Sequence, residues 1–366
     1  MDTKKIKIAI IGTHGVPAKY GGFETLADYL CQYLGSEYFI TVYCYKKLYP
    51  NKLRFYHEAK LIYLPIYASG FRGIFYDLLS YIHALFSSDI ILFLSPVGSG
   101  FITPLKYLFG KKLIVNHGGL NEWEREKLSF IQKNFAKFNH GVAAKVANMN
   151  IADNELYKLS LLRNFGVTSV VIKYGGDQTQ KPYITSELYE KYPYLNSKYA
   201  VSVARAQIDN NLHLVLEAFE KFNNYKLVLI SNWDISSYSR KLYQKYKDCP
   251  NIILQSAVYD IVELNAIRGC AFCYIHSHSR CGTSPSLVEA MYIGQAIISY
   301  DVETNRETTH NKAFFFKDAV DLLNILSVLT ISEIESNQKI MKEIAIKEYS
   351  WKIVANQYRQ IIGGLS

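Results

Sequence analysis

No run of about 18 uncharged apolar residues occurs in the 366-residue chain, so a membrane-spanning helix is not expected. Cysteine is scarce, six residues in all, which excludes a disulfide framework. Cys31 and Cys44 are isolated. Cys270 and Cys273 form a C-x-x-C pair inside an apolar run, with no second pair and no flanking histidine spacing to complete a zinc site. Core packing in a reduced, cytoplasmic setting is the expectation for them. Met1–Lys5 leads straight into a short strand and lacks the apolar core of a signal peptide. No solenoid-type repeat and no low-complexity segment is visible. No groove-reading or single-strand nucleic-acid motif accompanies the basic residues, so no nucleic-acid partner is expected.

What is there is an ordinary soluble composition, 49% hydrophobic and 20% charged, in a length that suits two domains. The 41 Lys+Arg exceed the 32 Asp+Glu by 9. Residues 1–180 hold 21 of the bases and 13 of the acids, an excess of 8; the rest of the chain is close to neutral. A basic first half suits a polyanion, a phosphorylated ligand or an anionic membrane, and equally a charge kept for solubility.

Short apolar runs alternate with segments of helical spacing. Ile6–Ile11, Ile40–Tyr43, Leu61–Leu64, Ile90–Leu94 and Leu113–Asn116 read as buried strands, and 74–86 as one of the helices between them. A second series begins after the Tyr-rich stretch 178–198, with strands at Tyr199–Val203, Lys226–Ile230, Ile252–Leu254, Ala271–Ile275 and Ala296–Ser299. The alternation predicts α/β architecture with two doubly wound, Rossmann-like halves. The expected boundaries are 1–177, 178–345 and a C-terminal helical segment 346–366 packing back on the first domain. Residues 332–362 read as helical, with Ser332 and Glu335 spaced as a capping box. Ligands of such sheets bind outside the strands' carboxyl ends, where the strand order reverses.

Two loops carry candidate chemistry. Gly12-Thr-His-Gly-Val-Pro-Ala-Lys-Tyr-Gly-Gly22 joins the first strand to a helix. It is neither G-x-G-x-x-G nor a Walker loop. Its Gly21-Gly22 pair either lets the backbone approach a diphosphate or simply turns the chain. His276-Ser-His-Ser-Arg-Cys-Gly-Thr-Ser-Pro-Ser-Leu-Val-Glu-Ala-Met291 leads from a strand into a helix, with Ser284 as N-cap and Pro285 at N1. Glu289, one turn in, either accepts hydrogen bonds from a ribose diol or is a solvated first-turn acid. His276 and His278 lack a third metal ligand of fitting spacing, and Asp301-Val302-Glu303 only superficially resembles a D-x-D site. No metal is expected.

Thr283-Ser-Pro-Ser-Leu-Val-Glu-Ala-Met291, with Gly294 and Asn305-Arg306-Glu307, resembles the donor-binding segment of GT-B glycosyltransferases of family 4. The Gly12–Glu24 segment is similar to the opening of the branch that contains bacterial rhamnosyltransferases of capsule and O-antigen synthesis. Weaker similarity lies at Asn116–Arg125, Tyr174–Asp177, Ala204-Arg205 and Tyr349-Ser350-Trp351. The resemblance implies two domains facing across a cleft, with a C-terminal helix bracing them. It also implies a retaining, metal-independent sugar transfer from a nucleotide-diphosphate donor, dTDP-rhamnose being the specific expectation. By the same resemblance Gly21, Gly22 and the loop Gly282, Thr283, Ser284, Pro285, Ser286 and Leu287 surround the diphosphate and sugar. Arg205 neutralises the leaving phosphates, Glu289 holds the ribose, and His117 touches the transferred sugar. Asn210 stands where a lysine is common, and Cys281 where many members have glutamate. His117-Gly118-Gly119 departs from the branch's Asp-Gly.

Residues 69–86 and 99–112 are rich in Phe, Tyr, Leu and Ile and flanked by Arg72, Lys106, Lys111 and Lys112. This pattern suits both sheet-packed helices and a peripheral contact with an anionic inner leaflet. The family's acceptors, lipid-linked saccharides, favour the contact. A non-catalytic scaffold of the same pathway is the alternative reading.

Overall fold

Two parallel sheets arise from the alternation of apolar runs. In a computed structural model the described residues are 5–19, 21–119, 122–124, 128–181 and 183–365. Met1–Lys4, Tyr20, and Leu120, Asn121 and Arg125 of the Asn116–Arg125 segment lie outside them. The chain forms two units, one running to Lys173 and resumed from Trp351, the other spanning Tyr174–Ser350.

Unit 1 holds eight strands: β1 (Lys7–Ile11), β2 (Phe39–Tyr45), β3 (Phe55–Tyr56), β4 (Ala59–Leu64), β5 (Ile90–Leu94), β6 (Lys112–Asn116), β7 (Met149–Ala152) and β8 (Val170–Val171). Their order is β3-β4-β2-β1-β5-β6-β7-β8, all parallel except the β3–β4 pair. β1 lies between β2 and β5, with Ile8 opposite Ile40 and Ile90. Every residue of β5 is buried, as a central strand covered on both faces requires. The helix Trp351–Leu365 belongs to this unit. Trp351 stacks on Tyr29 at 4.6 Å, Asn116 Nδ2 donates to Tyr358 Oη at 2.8 Å, and Arg359 forks onto Glu37 at 2.6 and 2.7 Å.

Unit 2 holds β9 (Tyr199–Val203), β10 (Lys226–Ser231), β11 (Ile252–Ser256), β12 (Cys273–His276), β13 (Ala296–Tyr300) and β14 (Phe314–Phe316), in the order β11-β10-β9-β12-β13-β14. The order reverses between β9 and β12, so the switch point lies at their carboxyl ends. Leu212, Val215, Leu216 and Phe219 of the helix Leu212–Lys221 fill the core on one face, and Leu287, Val288 and Met291 on the other.

Three sequence expectations are refined. The stretch 332–362 is two helices, Ile331–Glu348 and Trp351–Leu365. The break falls where Tyr349 leaves helical geometry (φ −115°, ψ 47°) to bury its ring and donate its hydroxyl to the Thr308 carbonyl. The capping box begins two residues earlier than expected, at Thr330 and Glu333, because Thr330 is the residue with extended backbone. Within the stretch 99–112, expected as a helix, residues 100–109 wind as a 3₁₀ helix around Pro104, whose missing N–H forbids a continuous α-ladder.

Candidate active site

At the switch point of unit 2, the segment after β9 is stitched to the segment after β12. Ser279 donates from its amide and hydroxyl to the Asp209 carbonyl at 3.1 and 2.8 Å, and Ser277 Oγ donates to the Asn210 carbonyl at 2.5 Å. Asn211 Nδ2 returns a bond to the Ser277 carbonyl. Asn210 spends its side-chain amide on the Arg205 carbonyl at 2.7 Å, so it fixes the bend that carries Arg205. The Arg205 side chain is exposed. Buried Asn305 donates to the carbonyls of His278 and Tyr300, which ties β13 to the same loop.

The loop then enters the helix Pro285–Ile293, with Ser284 at the N-cap and Pro285 at N1 as expected, and no side chain capping the N-terminus. Gly282, Thr283 and Ser284 are buried, while Pro285 and Ser286 are partly open. Aligned peptide dipoles give this end about half a positive charge. Arg205 and the helix end together favour an anion.

Glu289 is not a solvated acid. Its Oε2 accepts from Arg268 Nη1 at 2.6 Å and its Oε1 from Gln178 Nε2 at 2.7 Å. Arg268 is 3% exposed, and its Nε is buried with no hydrogen-bond partner. The Tyr174–Asp177 segment packs against this helix, where a Cβ on Gly176 would stand 2.9 Å from the Val288 carbonyl oxygen. Thr179 donates its hydroxyl to the Gly176 and Glu289 carbonyls. Sequence reasoning missed Arg268 and Gln178. The one legible sign was an arginine in the last turn of the otherwise buried face of the helix Ile261–Cys270.

His276 and His278 do have a third partner. Cys281 Sγ lies 4.0 Å from His276 Nε2, and one donor atom from each of the three residues falls within 4.8 Å of the others. The expectation that nothing completes a metal set is corrected: the third residue follows at a loop spacing that linear motif patterns omit. Burial pushes His276 well below the ordinary histidine range. It also pushes His278 down to about 4, with the Arg205 charge adding and Asp209 opposing. Asp301, by contrast, is held by Arg306 at 2.5 Å, which keeps its carboxyl below the usual range.

In unit 1 the glycine loop divides into two parts. Gly12 and Gly15 have positive φ (83° and 118°), and a Cβ would strike the Leu94 carbonyl or Cys44. Those two serve the turn. Gly21 is extended, and a Cβ there would meet only Glu24 Oε2, at 3.4 Å. It precedes the helix Gly22–Leu34, whose N-terminus also has no side-chain cap. Glu24 folds back beneath the loop, accepting from the His14 amide at 2.7 Å, the His14 ring at 2.9 Å and Thr13 Oγ1 at 3.1 Å. Burial raises the Glu24 carboxyl, but the His14 hydrogen bonds outweigh it and hold it below the usual range. The other His14 ring nitrogen meets Ser69 Oγ at 2.8 Å.

His117 does not stand at an open edge; it is fully buried. Asn150 Nδ2 donates to the Ala144 carbonyl, so its Oδ1 accepts from His117 Nε2 at 2.8 Å. His117 Nδ1 is therefore the acceptor, 3.3 Å from His140 Nδ1. The buried pair is neutral, and this packing role replaces the expected sugar contact. Burial lowers His117 to about 4 against the opposing Asn150 bond, and lowers His140 further below normal with help from His117. Unfolded histidine takes its proton near pH 6.5. The native state binds that proton less readily, so stability falls as pH drops from about 6.5 toward 4. His117 alone accounts for roughly 3 kcal/mol of this loss. Melting temperatures from about pH 7 to 4.5 are expected to fall steeply, and less so in His117→Gln; a flat profile contradicts the neutral pair.

Residues 189–346 match the family model described as glycosyl transferases group 1, and residues 5–177 that of a domain of unknown function (DUF1972). Among solved structures, sucrose-phosphate synthase from Thermosynechococcus elongatus is similar over 99% of both chains, with a TM-score of 0.80 and 17% identity. A glycosyltransferase from Rickettsia africae is similar over 99% of both chains, with a TM-score of 0.74 and 15% identity. Anabaena HepE in complex with UDP-glucose covers 98% of this chain and 100% of its own, with a TM-score of 0.73 and 13% identity. A comparison with curated proteins gives no match. The two Rossmann-like units have the GT-B fold.

Proposed function

We propose that this chain, whose residues 189–346 match the glycosyl transferases group 1 family model within a GT-B fold, moves a sugar from a nucleotide-diphosphate donor to a lipid-linked glycan. Retention of configuration, a rhamnosyl unit and surface-polysaccharide synthesis complete the reading. The observation that carries it is that Asn210 anchors Arg205 in a segment stitched through Ser277 and Ser279 to the loop that leads into the uncapped helix end at Ser284. Sugar transfer leaves a nucleoside diphosphate behind, and fixed positive potential where that charge develops lowers the barrier. The amides of the Gly282–Leu287 loop line the phosphates and Glu289 accepts the ribose hydroxyls. Gly21 and Gly22 supply a backbone approach for which the protein's own packing makes no steric demand at Gly21. The UDP and UDP-glucose bound by Anabaena HepE support a nucleoside diphosphate here. Titrating dTDP, UDP and GDP should raise the melting temperature with at least one of them; no shift with any removes the reading.

The acceptor side rests on unit 1. Phe71, Phe75, Leu79 and Phe86 of the helix Gly70–Ser87 are exposed, as are Tyr107 and Leu108 beside it and Phe130, Ile131 and Phe138 of the neighbouring helix Phe130–Val146. Arg72 and Lys137 are exposed in the same two helices, and Lys112 is exposed at the start of β6. Lys106, expected among these flanking bases, points inward and donates to Asn148 Oδ1 at 2.6 Å. Apolar aromatics with basic neighbours suit the interface of an anionic leaflet, in a peripheral mode; no helix among the described residues is long and apolar enough to cross a membrane. Co-sedimentation with anionic but not neutral vesicles at low salt is expected, and its absence overturns the membrane contact.

One observation favours the scaffold reading: both Glu289 oxygens already hold protein partners. A nucleotide-dependent melting shift without turnover of any nucleotide sugar would select it.

A further inference from the structure

The loop that leaves β12 carries a second chemistry, independent of sugar transfer. His276 closes the strand and is 1% exposed; the His278 ring lies 4.5 Å away, centroid to centroid. Cys281 turns back on them, its Sγ 4.0 Å from His276 Nε2 and 4.0 Å from Asn305 Oδ1. Among the described residues this is the group of histidine, cysteine and acidic side chains whose donor atoms converge to within 4.8 Å. Buried ring nitrogens ordinarily find partners. Here His276 Nδ1 and His278 Nε2 are buried with no hydrogen-bond partner; His278 Nδ1 already faces Ser284 Oγ at 3.5 Å, so a cation on His278 Nε2 would give that orphaned nitrogen its partner. Cys281 is not in a disulfide.

We propose that His276, His278 and Cys281 form a binding site for a thiophilic divalent cation of the zinc class. Two imidazoles and a thiolate are the ligands zinc and cobalt(II) prefer, whereas magnesium and calcium require oxygen ligands. Bond lengths of about 2.0–2.1 Å to nitrogen and 2.3 Å to sulfur put tetrahedral ligand atoms roughly 3.3–3.6 Å apart. The present spacing of up to 4.8 Å therefore closes by about an ångström, within the reach of side-chain rotation. Three protein ligands leave the fourth position to water or another oxygen donor. Binding displaces the thiol proton from Cys281 to solvent, so the cation adds one positive charge net. Arg205, whose charge is felt at His278, disfavours a cation held by neutral ligands alone. The thiolate is thus the ligand on which affinity depends most.

Cobalt(II) is the probe, because a cobalt–thiolate bond absorbs by sulfur-to-metal charge transfer in the near ultraviolet, which histidine ligation does not. Titrating the full chain under reducing conditions should give saturable charge-transfer absorption at one cobalt per chain. Added zinc should remove it and a large excess of magnesium should not. Cys281→Ser should abolish the band and weaken zinc binding in a chelator competition by at least tenfold, and His278→Asn should weaken it likewise. Cys249→Ser, remote from the loop, should leave both unchanged. Far-ultraviolet circular dichroism confirms that each variant is folded; if Cys281→Ser is not, stoichiometric alkylation of Cys281, located by mass spectrometry, replaces it. Absence of the band, or its persistence without the Cys281 thiol, overturns the proposal.

Discussion

Unit 2 of a Glu289→Ala chain is expected to lose about 3–5 kcal/mol of stability, because the substitution strands a buried guanidinium. Arg268 is 3% exposed and Glu289 15% on their side chains. The Glu289 carboxylate is the acidic partner 2.6 Å from Arg268 Nη1. With Nε already unpartnered, removing the carboxylate leaves the arginine charge uncompensated in the interior. For a unit of this size the loss corresponds to a melting shift on the order of 10 °C. Glu289→Gln keeps an acceptor oxygen and is expected to lose less. Replacing both partners, as in Arg268→Met with Glu289→Leu, should recover most of the stability, since an apolar pair carries no desolvation cost. A Glu289→Ala protein that melts with the parent would show that Arg268 finds another partner. Activity lost on alanine substitution at Glu289 therefore does not by itself report ribose binding; Glu289→Gln in a protein of matched stability does.

Arg205→Ala has the opposite signature. The side chain is exposed, so the melting temperature of the unliganded chain should stay within about a degree, as for surface substitutions generally. Sugar transfer should fall about 10²–10³-fold, the usual cost of removing one fixed donor from a site where negative charge develops. Affinity for a nucleoside diphosphate should fall with it, while affinity for the bare nucleoside should not. Arg205→Lys should restore part of the activity, because a point charge replaces a planar fork. Unchanged diphosphate affinity in Arg205→Ala would remove this residue from the site. Asn210→Ala tests the anchor: a modest loss is expected, since the Arg205 bend would lose its 2.7 Å restraint while the charge remains.

Much of the fold was legible because central parallel strands are apolar on both faces. Ile90–Leu94 and Ala296–Tyr300 stand out for this reason. Val170–Val171 and Phe314–Phe316 did not, since edge strands of two or three residues are too short to show a period. The break before Trp351 was also hidden: the helical spacing continues through Tyr349 and Ser350, and no glycine or proline marks it. At the site, Ser284 and Glu289 could be read from a local pattern, because a helix start is a local event. The partners of Glu289 could not. Arg268 and Gln178 lie 21 and 111 residues away in the chain, and only tertiary packing brings them together. His117 and Lys106 fail for a related reason: both side chains turn inward to asparagines, Asn150 and Asn148, on or next to the short strand β7.

The helix Trp351–Leu365 bears on how the protein is made. Unit 1 needs it for the Trp351–Tyr29 stack, the Tyr358–Asn116 bond and the Arg359–Glu37 fork. Yet a ribosome delivers it only after all of Tyr174–Ser350. Domains usually mature in the order of their synthesis. Here the second unit is contiguous and can finish first, while the first waits with an apolar groove uncovered. During that interval a nascent chain would offer chaperones the Tyr29 side of unit 1, and a message truncated near codon 350 would leave that surface open for good.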